Sequence, residues 1–167
     1  MATEKGVIKK SSLMDYGKPR QDGIIALVLD EGDRLIAAAL TEGNQDILLG
    51  SQKGKSIRFS EKQVRSMGRV TRGVKAIDLG PEDSVIGMEI LSDGHTLLTV
   101  TENGYGKRTE AAAYRGQGRG GSGIINIQTP QRNGDVVGVI QVTDDDDVIL
   151  INNRGRTIRT SAKSIPV

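Results

Sequence analysis

The chain contains no cysteine, which excludes a disulfide framework and a thiolate metal site. It also lacks tryptophan, and its aromatic residues are three tyrosines and one phenylalanine. A core must therefore be built from Ile, Val, Leu and Ala, and no aromatic platform is available for stacking single-stranded bases. No apolar run approaches the length that spans a membrane, and the N-terminal residues carry no apolar signal core. These features predict a soluble protein without a membrane partner, and they fit a reducing cytosol.

A short, glycine-led basic segment recurs four times at nearly constant spacing. It begins at Gly6, Gly54, Gly104 and Gly155, in steps of 48, 50 and 51 residues. The fourth residue after each glycine is a cation: Lys10, Arg58, Arg108 and Arg159. The tenth is a bulky apolar or aromatic residue: Tyr16, Val64, Tyr114 and Ile165. A period of this length that retains strand-like segments is typical of a blade repeat.

Each repeat reads as about four short strands rich in β-branched residues and leucine, separated by Gly, Asn, Asp and Pro turns. The predicted fold is an all-β, propeller-like repeat of four-stranded antiparallel blades, forming an incomplete, open arc of about three and a half blades. The single repeat domain spans 1–167, with blades at 6–53, 54–103 and 104–154 and a partial blade at 155–167. Residues 23–29 are a nearly continuous apolar run, which predicts a strand buried on both faces. Residues 61–67 predict a turn or a single helical turn.

The charge alternates with the repeat, although the formal net charge is only +2. Segments 5–20, 53–75, 104–123 and 151–163 hold 21 of the 23 lysines and arginines and three acids, Asp15, Glu61 and Glu110. One basic run would suit a solvated surface. Four runs in register with a structural repeat favour an edge that binds a polyanion, with Arg58, Arg108 and Arg159 pointing outward.

A glycine-rich loop at residues 114–123 contains the pattern G-x-G-x-x-G. A strand follows it rather than a helix, which argues against a dinucleotide site. Equivalent loops end at Gly23 and Gly73, and all three carry two cations: Lys18 and Arg20, Arg69 and Arg72, Arg115 and Arg119. Because glycine lacks Cβ, such a loop can approach a phosphate closely, so phosphate binding is favoured over a merely flexible connection.

The same loop carries a resemblance to a known family. Its segment Gln117, Gly118, Arg119, Gly120, Gly121, Ser122, Gly123 resembles the gyrase A box, Q-[KR]-R-G-G-[KR]-G. Residues 101–109, residues 59–68 and the overall repeat are also similar to the C-terminal domain of DNA gyrase A. Gly118 and Ser122 depart from the box, because the family has basic residues there. The loop therefore resembles a later, degenerate copy of the box.

The resemblance implies a β-pinwheel that binds double-stranded DNA around a basic rim and supports ATP-dependent negative supercoiling by the full enzyme. It implies no catalytic residue and no cofactor in this chain, since ATP and Mg²⁺ are used elsewhere in the enzyme. The implied partners are duplex DNA, the rest of gyrase A and gyrase B, in a bacterial cytoplasm at the chromosome. The predicted DNA-binding residues are Lys10, Lys18, Arg20, Arg58, Arg65, Arg69, Arg72, Lys107, Arg108, Arg115, Arg119 and Arg159.

Two alternative functions remain open at this point. One is the C-terminal domain of topoisomerase IV, which usually lacks a good box, and the other is a protein-interaction scaffold with a basic rim. The chain's one histidine, His95, lies in a predicted turn, and a single histidine argues against a His-based triad or zinc cluster. The run 144–147 of four aspartates could attract a hard cation, but a solvated turn is favoured because consecutive side chains do not converge.

Overall fold

The computed structural model describes all 167 residues, and its regular elements are thirteen strands and four short 3-10 helices. In chain order the strands are β1 Ala2–Thr3, β2 Val7–Ile8, β3 Leu35–Ala37, β4 Asp46–Ser51, β5 Lys55–Ser60, β6 Val74–Lys75, β7 Val85–Ile90, β8 Thr96–Thr101, β9 Gly106–Glu110, β10 Ile124–Ile125, β11 Val136–Val142, β12 Asp147–Ile151 and β13 Thr157–Ser161. The 3-10 helices are Leu13–Tyr16, Glu61–Gln63, Ala111–Ala113 and Ala162–Ser164. The all-β prediction is confirmed, as is the single helical turn after Ser60. None of the 3-10 helices is long and apolar enough to cross a membrane.

The strands form four antiparallel sheets, ordered β3-β1-β2-β6, β10-β5-β4-β7, β11-β8-β9 and β12-β13. A hairpin lies at the heart of each sheet, and a periodic glycine closes each hairpin with φ between 74° and 83°. L side chains rarely adopt this conformation. At Gly54 an added Cβ would also collide with the carbonyl oxygen of Ile127. The recurring glycine is therefore needed both for the turn and for close packing of the next segment.

Consecutive repeats interlock through their strands. β6 pairs with β2, where Val7 lies opposite Lys75, and β10 pairs with β5, where Ile124 lies opposite Ser56. Each of the first two sheets thus takes one strand from the repeat that follows it. Sheets consequently do not coincide with contiguous ranges: residues 54–103 supply strands to three of the four sheets.

The predicted strand at 23–29 is wrong. The structure assigns no strand there, and Ile25 is 59% exposed, with Val28 and Leu29 also exposed. Its counterparts β6 and β10 form strands by pairing with the hairpin of the preceding repeat. Residues 23–29 pair with no strand, and their one backbone hydrogen bond to a distant segment runs from Val28 N to the carbonyl oxygen of Thr71 at 3.0 Å. Their apolar composition alone does not make a strand.

Three apolar clusters lie between successive sheets and form the core. Strand β4 shows how: Ile47 and Leu49 join the cluster shared with the first sheet, whereas Leu48 joins the cluster shared with the third. A strand buried on both faces reads as a continuous apolar run, as residues 47–49 do. The periodic bulky residues Val64 and Tyr114 are buried in these clusters. Successive sheets are therefore held together by aliphatic packing, as the composition predicts.

Candidate nucleic-acid interface

The periodic cations mostly lie between sheets. On β5, Ile57 and Phe59 point into the core, and strand alternation turns Arg58 to the opposite face. Its Nε donates to Asp46 Oδ2 at 2.8 Å, and its Nη1 donates to the carbonyl oxygens of Ala111 and Tyr114 at 2.9 and 3.2 Å. These two carbonyls belong to the 3-10 helix of the following repeat and its C-cap. Arg58 therefore joins the second sheet to the third.

Arg108 repeats this arrangement one sheet further along. Nε donates to Thr96 Oγ1 at 2.9 Å, and Nη1 donates to the carbonyl oxygens of Ala162 and Ile165 at 2.8 and 3.4 Å. Nη2 donates to Asp144 Oδ1 at 2.8 Å. Arg108 is only 5% exposed. The expectation that Arg58 and Arg108 point outward is wrong, because carbonyl oxygens of the next repeat's 3-10 helix and its C-cap hold both guanidiniums between sheets.

The first and last periodic cations have different partners. Lys10 donates from Nζ to the carbonyl oxygen of Glu61 at 3.0 Å and lies 3.6 Å from its carboxylate. Arg159 donates from Nε to Asp147 Oδ2 at 2.9 Å and makes no contact with a following repeat. Its side chain is 72% exposed. Arg159 alone among the four points outward as predicted.

Glu61 is a fully buried carboxylate at the start of the second 3-10 helix. It accepts hydrogen bonds from Thr41 Oγ1 at 2.7 Å, Gly43 N at 2.8 Å and Gln45 N at 3.0 Å. Burial opposes ionisation of the carboxyl, but these donors and the Lys10 ammonium outweigh it and hold the pKa of Glu61 below its usual value. The ionised Glu61 carboxylate therefore binds the turn that follows β5 to residues 41–45.

The box-like loop is bound to the preceding repeat rather than free. Gln63 donates from Nε2 to the carbonyl oxygen of Gln117 at 3.1 Å and accepts from Arg119 N at 2.7 Å. The Arg119 guanidinium donates to the carbonyl oxygens of Gln63 and Lys75 at 3.2 and 2.6 Å. One repeat earlier, the Arg69 guanidinium makes the corresponding contact with the carbonyl oxygen of Ile25 at 2.9 Å. Arg69 and Arg119 therefore fasten loops to their neighbours.

The glycines of this loop serve two purposes. Gly123 has φ of 71°, and an added Cβ would lie 2.6 Å from the carbonyl oxygen of Ser56. Gly123 thus permits close packing of β10 against β5. An added Cβ at Gly116 or Gly118 would meet no atom within 4 Å. The open part of the loop, not its end, is the part that another molecule can approach.

The remaining predicted cations have no hydrogen bond or ion pair from their side chains. They are Lys18, Arg20, Arg65, Lys107 and Arg115, and all but the half-buried Lys107 are exposed. Arg72, in contrast, pairs with Asp30.

Sequence reasoning missed Lys62 and Lys163, which are exposed and unpaired at equivalent positions of their 3-10 helices. The sequence contains a pattern that could have found them, because Lys62 and Lys163 each lie eight residues after a periodic glycine. We call Lys18, Arg20, Lys62, Arg65, Arg115 and Lys163 the free-cation row, since each lies in or just after the 3-10 helix of its repeat.

Comparison with known proteins shows which family the chain belongs to. A family model described as the DNA gyrase C-terminal domain, beta-propeller, matches residues 1–42, 45–92, 95–143 and 146–167. The chain belongs to this gyrase family. It is 44% identical over 167 residues to DNA gyrase A of Salmonella typhimurium and 43% identical over 165 residues to that of Pseudomonas aeruginosa. These matches cover 100% and 99% of this chain but only 19% and 18% of the two relatives.

Solved structures agree with the gyrase assignment. A structure of a DNA gyrase A C-terminal domain aligns with a TM-score of 0.88 and 28% identity, covering 99% of this chain and 55% of that one. The C-terminal domain of DNA topoisomerase IV aligns with a TM-score of 0.93 but 21% identity, over 98% of this chain and 52% of that one, which supports the shared fold alone. The predicted resemblance to the gyrase A C-terminal domain is confirmed.

The acidic run and the histidine of this gyrase-family chain have local roles. Asp144 and Asp147 pair with different arginines, and Asp146 accepts from Thr143 N and Oγ1 at 2.7 and 2.9 Å. These hydrogen bonds hold the pKa of Asp146 below its usual value. The His95 ring lies 3.1 Å from the carbonyl oxygen of Asp93, in its own turn. Asp144, Asp146 and Asp147 therefore have separate contacts and do not converge on one site.

Proposed function

We propose that this chain binds double-stranded DNA through the free-cation row and serves as a DNA-wrapping module of a type II topoisomerase. The observation that carries the proposal is that exposed, unpaired cations recur on equivalent turns of successive repeats, while most other cations are held by contacts within the chain. Cations that recur with a structural repeat give a clustered basic surface, which is the electrostatic feature expected of a protein that binds a polyanion.

Phosphate contacts account for affinity in this proposal. Each phosphate that a cation neutralises releases counterions, so affinity falls as salt concentration rises. Curving a short duplex over the repeats costs about 1–6 kcal/mol, which several such contacts must offset. Arginine suits the task because its guanidinium can donate two parallel hydrogen bonds to one phosphate. The binding is then largely independent of base sequence.

Within the full enzyme, this module supports ATP-dependent negative supercoiling without supplying a catalytic group. Its protein partners are the rest of gyrase A and gyrase B, and its location is the bacterial cytoplasm, at the chromosome. The open glycines Gly116 and Gly118 let DNA approach the box-like loop, and Arg115 beside them makes the phosphate contact. Lys107 adds to the surface, whereas Lys10, Arg58, Arg69, Arg72, Arg108 and Arg119 act mainly by holding repeats together.

The proposal is tested by titrating this chain with labelled duplex DNA over a series of salt concentrations. Arg65→Ala and Arg115→Ala should each weaken binding similarly on unrelated sequences and reduce the salt slope by about 0.9, the value for one lost phosphate contact. Arg132→Ala is the matched control, because Arg132 is exposed, lies outside the four basic segments and stacks on Tyr105 at 5.7 Å.

Unchanged affinity and slope in both variants would remove the free-cation row from the interface. An equal effect in the control would mean that overall charge, not this row, governs binding. Absence of binding by the wild-type chain at low salt would favour a protein partner for the basic surface.

A further inference from the structure

The strand cations have a geometry that a phosphate-binding residue would not need. Arg58 and Arg108 each direct Nε to a polar side chain twelve residues earlier, on the paired strand of their own hairpin. Each directs Nη1 to two carbonyl oxygens more than fifty residues later, at the 3-10 helix after the next hairpin. The same bridging contact thus occurs at two successive junctions between sheets.

A guanidinium is well suited to such a junction. Its donors lie in one plane at fixed angles, so contacts on opposite edges restrict rotation of one sheet against the other. Apolar packing is non-directional and restricts that rotation less. At the junction of the first and second sheets, Lys10 reaches the carbonyl and carboxylate of Glu61, with a single ammonium in place of a fork.

The helix that receives this contact also carries the free-cation row. Arg115 directly follows Tyr114, whose carbonyl oxygen accepts from Arg58. Lys163 lies between Ala162 and Ile165, whose carbonyl oxygens accept from Arg108. Fixing the helix therefore fixes where the free cation projects.

We infer that Arg58 and Arg108 are positioning residues that set the angle between consecutive sheets, and thereby the curvature that the free-cation row imposes on bound DNA. The curvature part of this inference rests on the proposed function, whereas the angle between sheets does not. Neither arginine contacts a phosphate in this arrangement, and Arg108 is too buried to do so.

The chain provides a matched control at the equivalent position of the last repeat. Arg159 has the same strand position and the same kind of carboxylate partner, Asp147, but its guanidinium donates to no carbonyl oxygen. Arg58→Met removes the guanidinium and keeps an unbranched stem, and Arg159→Met makes the same change at a guanidinium that contacts only its own hairpin.

The first measurement is made without DNA. Because the chain has no cysteine, spin labels attach only to cysteines introduced at the exposed positions Leu13 and Ala112, on the first and third 3-10 helices. Arg58→Met should broaden the distribution of distances between the labels, and Arg159→Met should leave it as in the unsubstituted chain. An unchanged distribution in folded Arg58→Met would overturn the inference. If that variant does not fold, Arg58→Lys is judged by the same criterion, since an ammonium cannot span Asp46 and both carbonyls.

The second measurement uses a short duplex with a fluorophore at each end. Arg58→Met should reduce the bending of the duplex while keeping the wild-type salt slope. A slope lowered by about 0.9 with unchanged bending would make Arg58 a phosphate contact and refute its positioning role. If the wild-type chain binds no DNA, the proposed function fails, and the distance distribution alone decides the angle between sheets.

Discussion

Replacing Glu61 with alanine should strongly destabilise the fold, although Glu61 belongs to no apolar cluster. The substitution removes the acceptor for the amides of Gly43 and Gln45 and for the hydroxyl of Thr41. It also removes the carboxylate partner of Lys10. The polar groups left behind, rather than the lost side chain, determine the cost.

The magnitude follows from which of those groups can find water. The Lys10 side chain is 29% exposed and can be hydrated again, and the Thr41 hydroxyl can rotate. The two backbone amides cannot rotate away, and each loses a hydrogen bond to a charged acceptor, worth about 1.5–3 kcal/mol. Water recovers part of this loss, because Gly43 is exposed and Gln45 is half-buried. We expect a loss of about 2–4 kcal/mol in the free energy of unfolding, a large part of the roughly 5–15 kcal/mol typical of a domain.

The loss should depend on pH in a defined direction. The pKa of Glu61 is lower in the folded state than its usual value, so the ionised carboxylate stabilises the fold above the usual glutamate pKa. That contribution disappears as pH falls through the usual value toward the folded-state pKa. The wild-type chain should therefore lose its advantage over Glu61→Ala as the solution becomes acidic.

Urea denaturation followed by circular dichroism measures both effects. A loss of about 3 kcal/mol lowers the midpoint by about 1.5 M at a slope of about 2 kcal/mol/M. Glu110→Ala is the control, because Glu110 is exposed and forms no capping hydrogen bond beside the equivalent helix of the next repeat. Equal midpoints for Glu61→Ala and wild type at neutral pH, or a difference that does not change in acid, would refute the role assigned to the buried carboxylate.

The remaining predictions concern buried or tightly packed groups. Tyr114→Phe should cost about 1–3 kcal/mol in the free energy of unfolding, because the Tyr114 hydroxyl donates to buried Asn126 Oδ1 at 2.7 Å; thermal melting measures this. Burial also raises the pKa of Tyr114, so spectroscopic titration should detect its phenolate only above the usual tyrosine range. Gly123→Ala should lower the melting temperature far more than Gly118→Ala, since only the former adds a Cβ against a backbone carbonyl; similar melting temperatures would contradict this. Gln63→Ala should speed hydrogen exchange of the amides at 117–119, and unchanged exchange would show that the loop is held by other contacts.

Local patterns in the sequence were sufficient for the architecture of the chain. The glycine period, the β-branched segments and the turn residues predict an all-β blade repeat, because each feature depends on neighbours along the chain. The box-like motif predicts the gyrase family, which the family match confirms. Two of the bulky residues ten positions after the glycines, Val64 and Tyr114, are buried in the core.

Long-range pairing decided where the apolar segments become strands. Residues 23–29 have the composition of a strand but lack a partner hairpin, whereas their counterparts β6 and β10 have one.

The roles of the cations also required the tertiary structure. Arg108 and Arg115 are both arginines in a basic segment, yet one is buried between sheets and the other is exposed and unpaired. The difference arises because the carbonyl oxygens that accept from Arg108 lie more than fifty residues away in the sequence. Sequence alone thus determined the repeat, the fold class and the family. The tertiary structure decided which cations hold sheets together and which face solvent, because that depends on contacts between distant repeats.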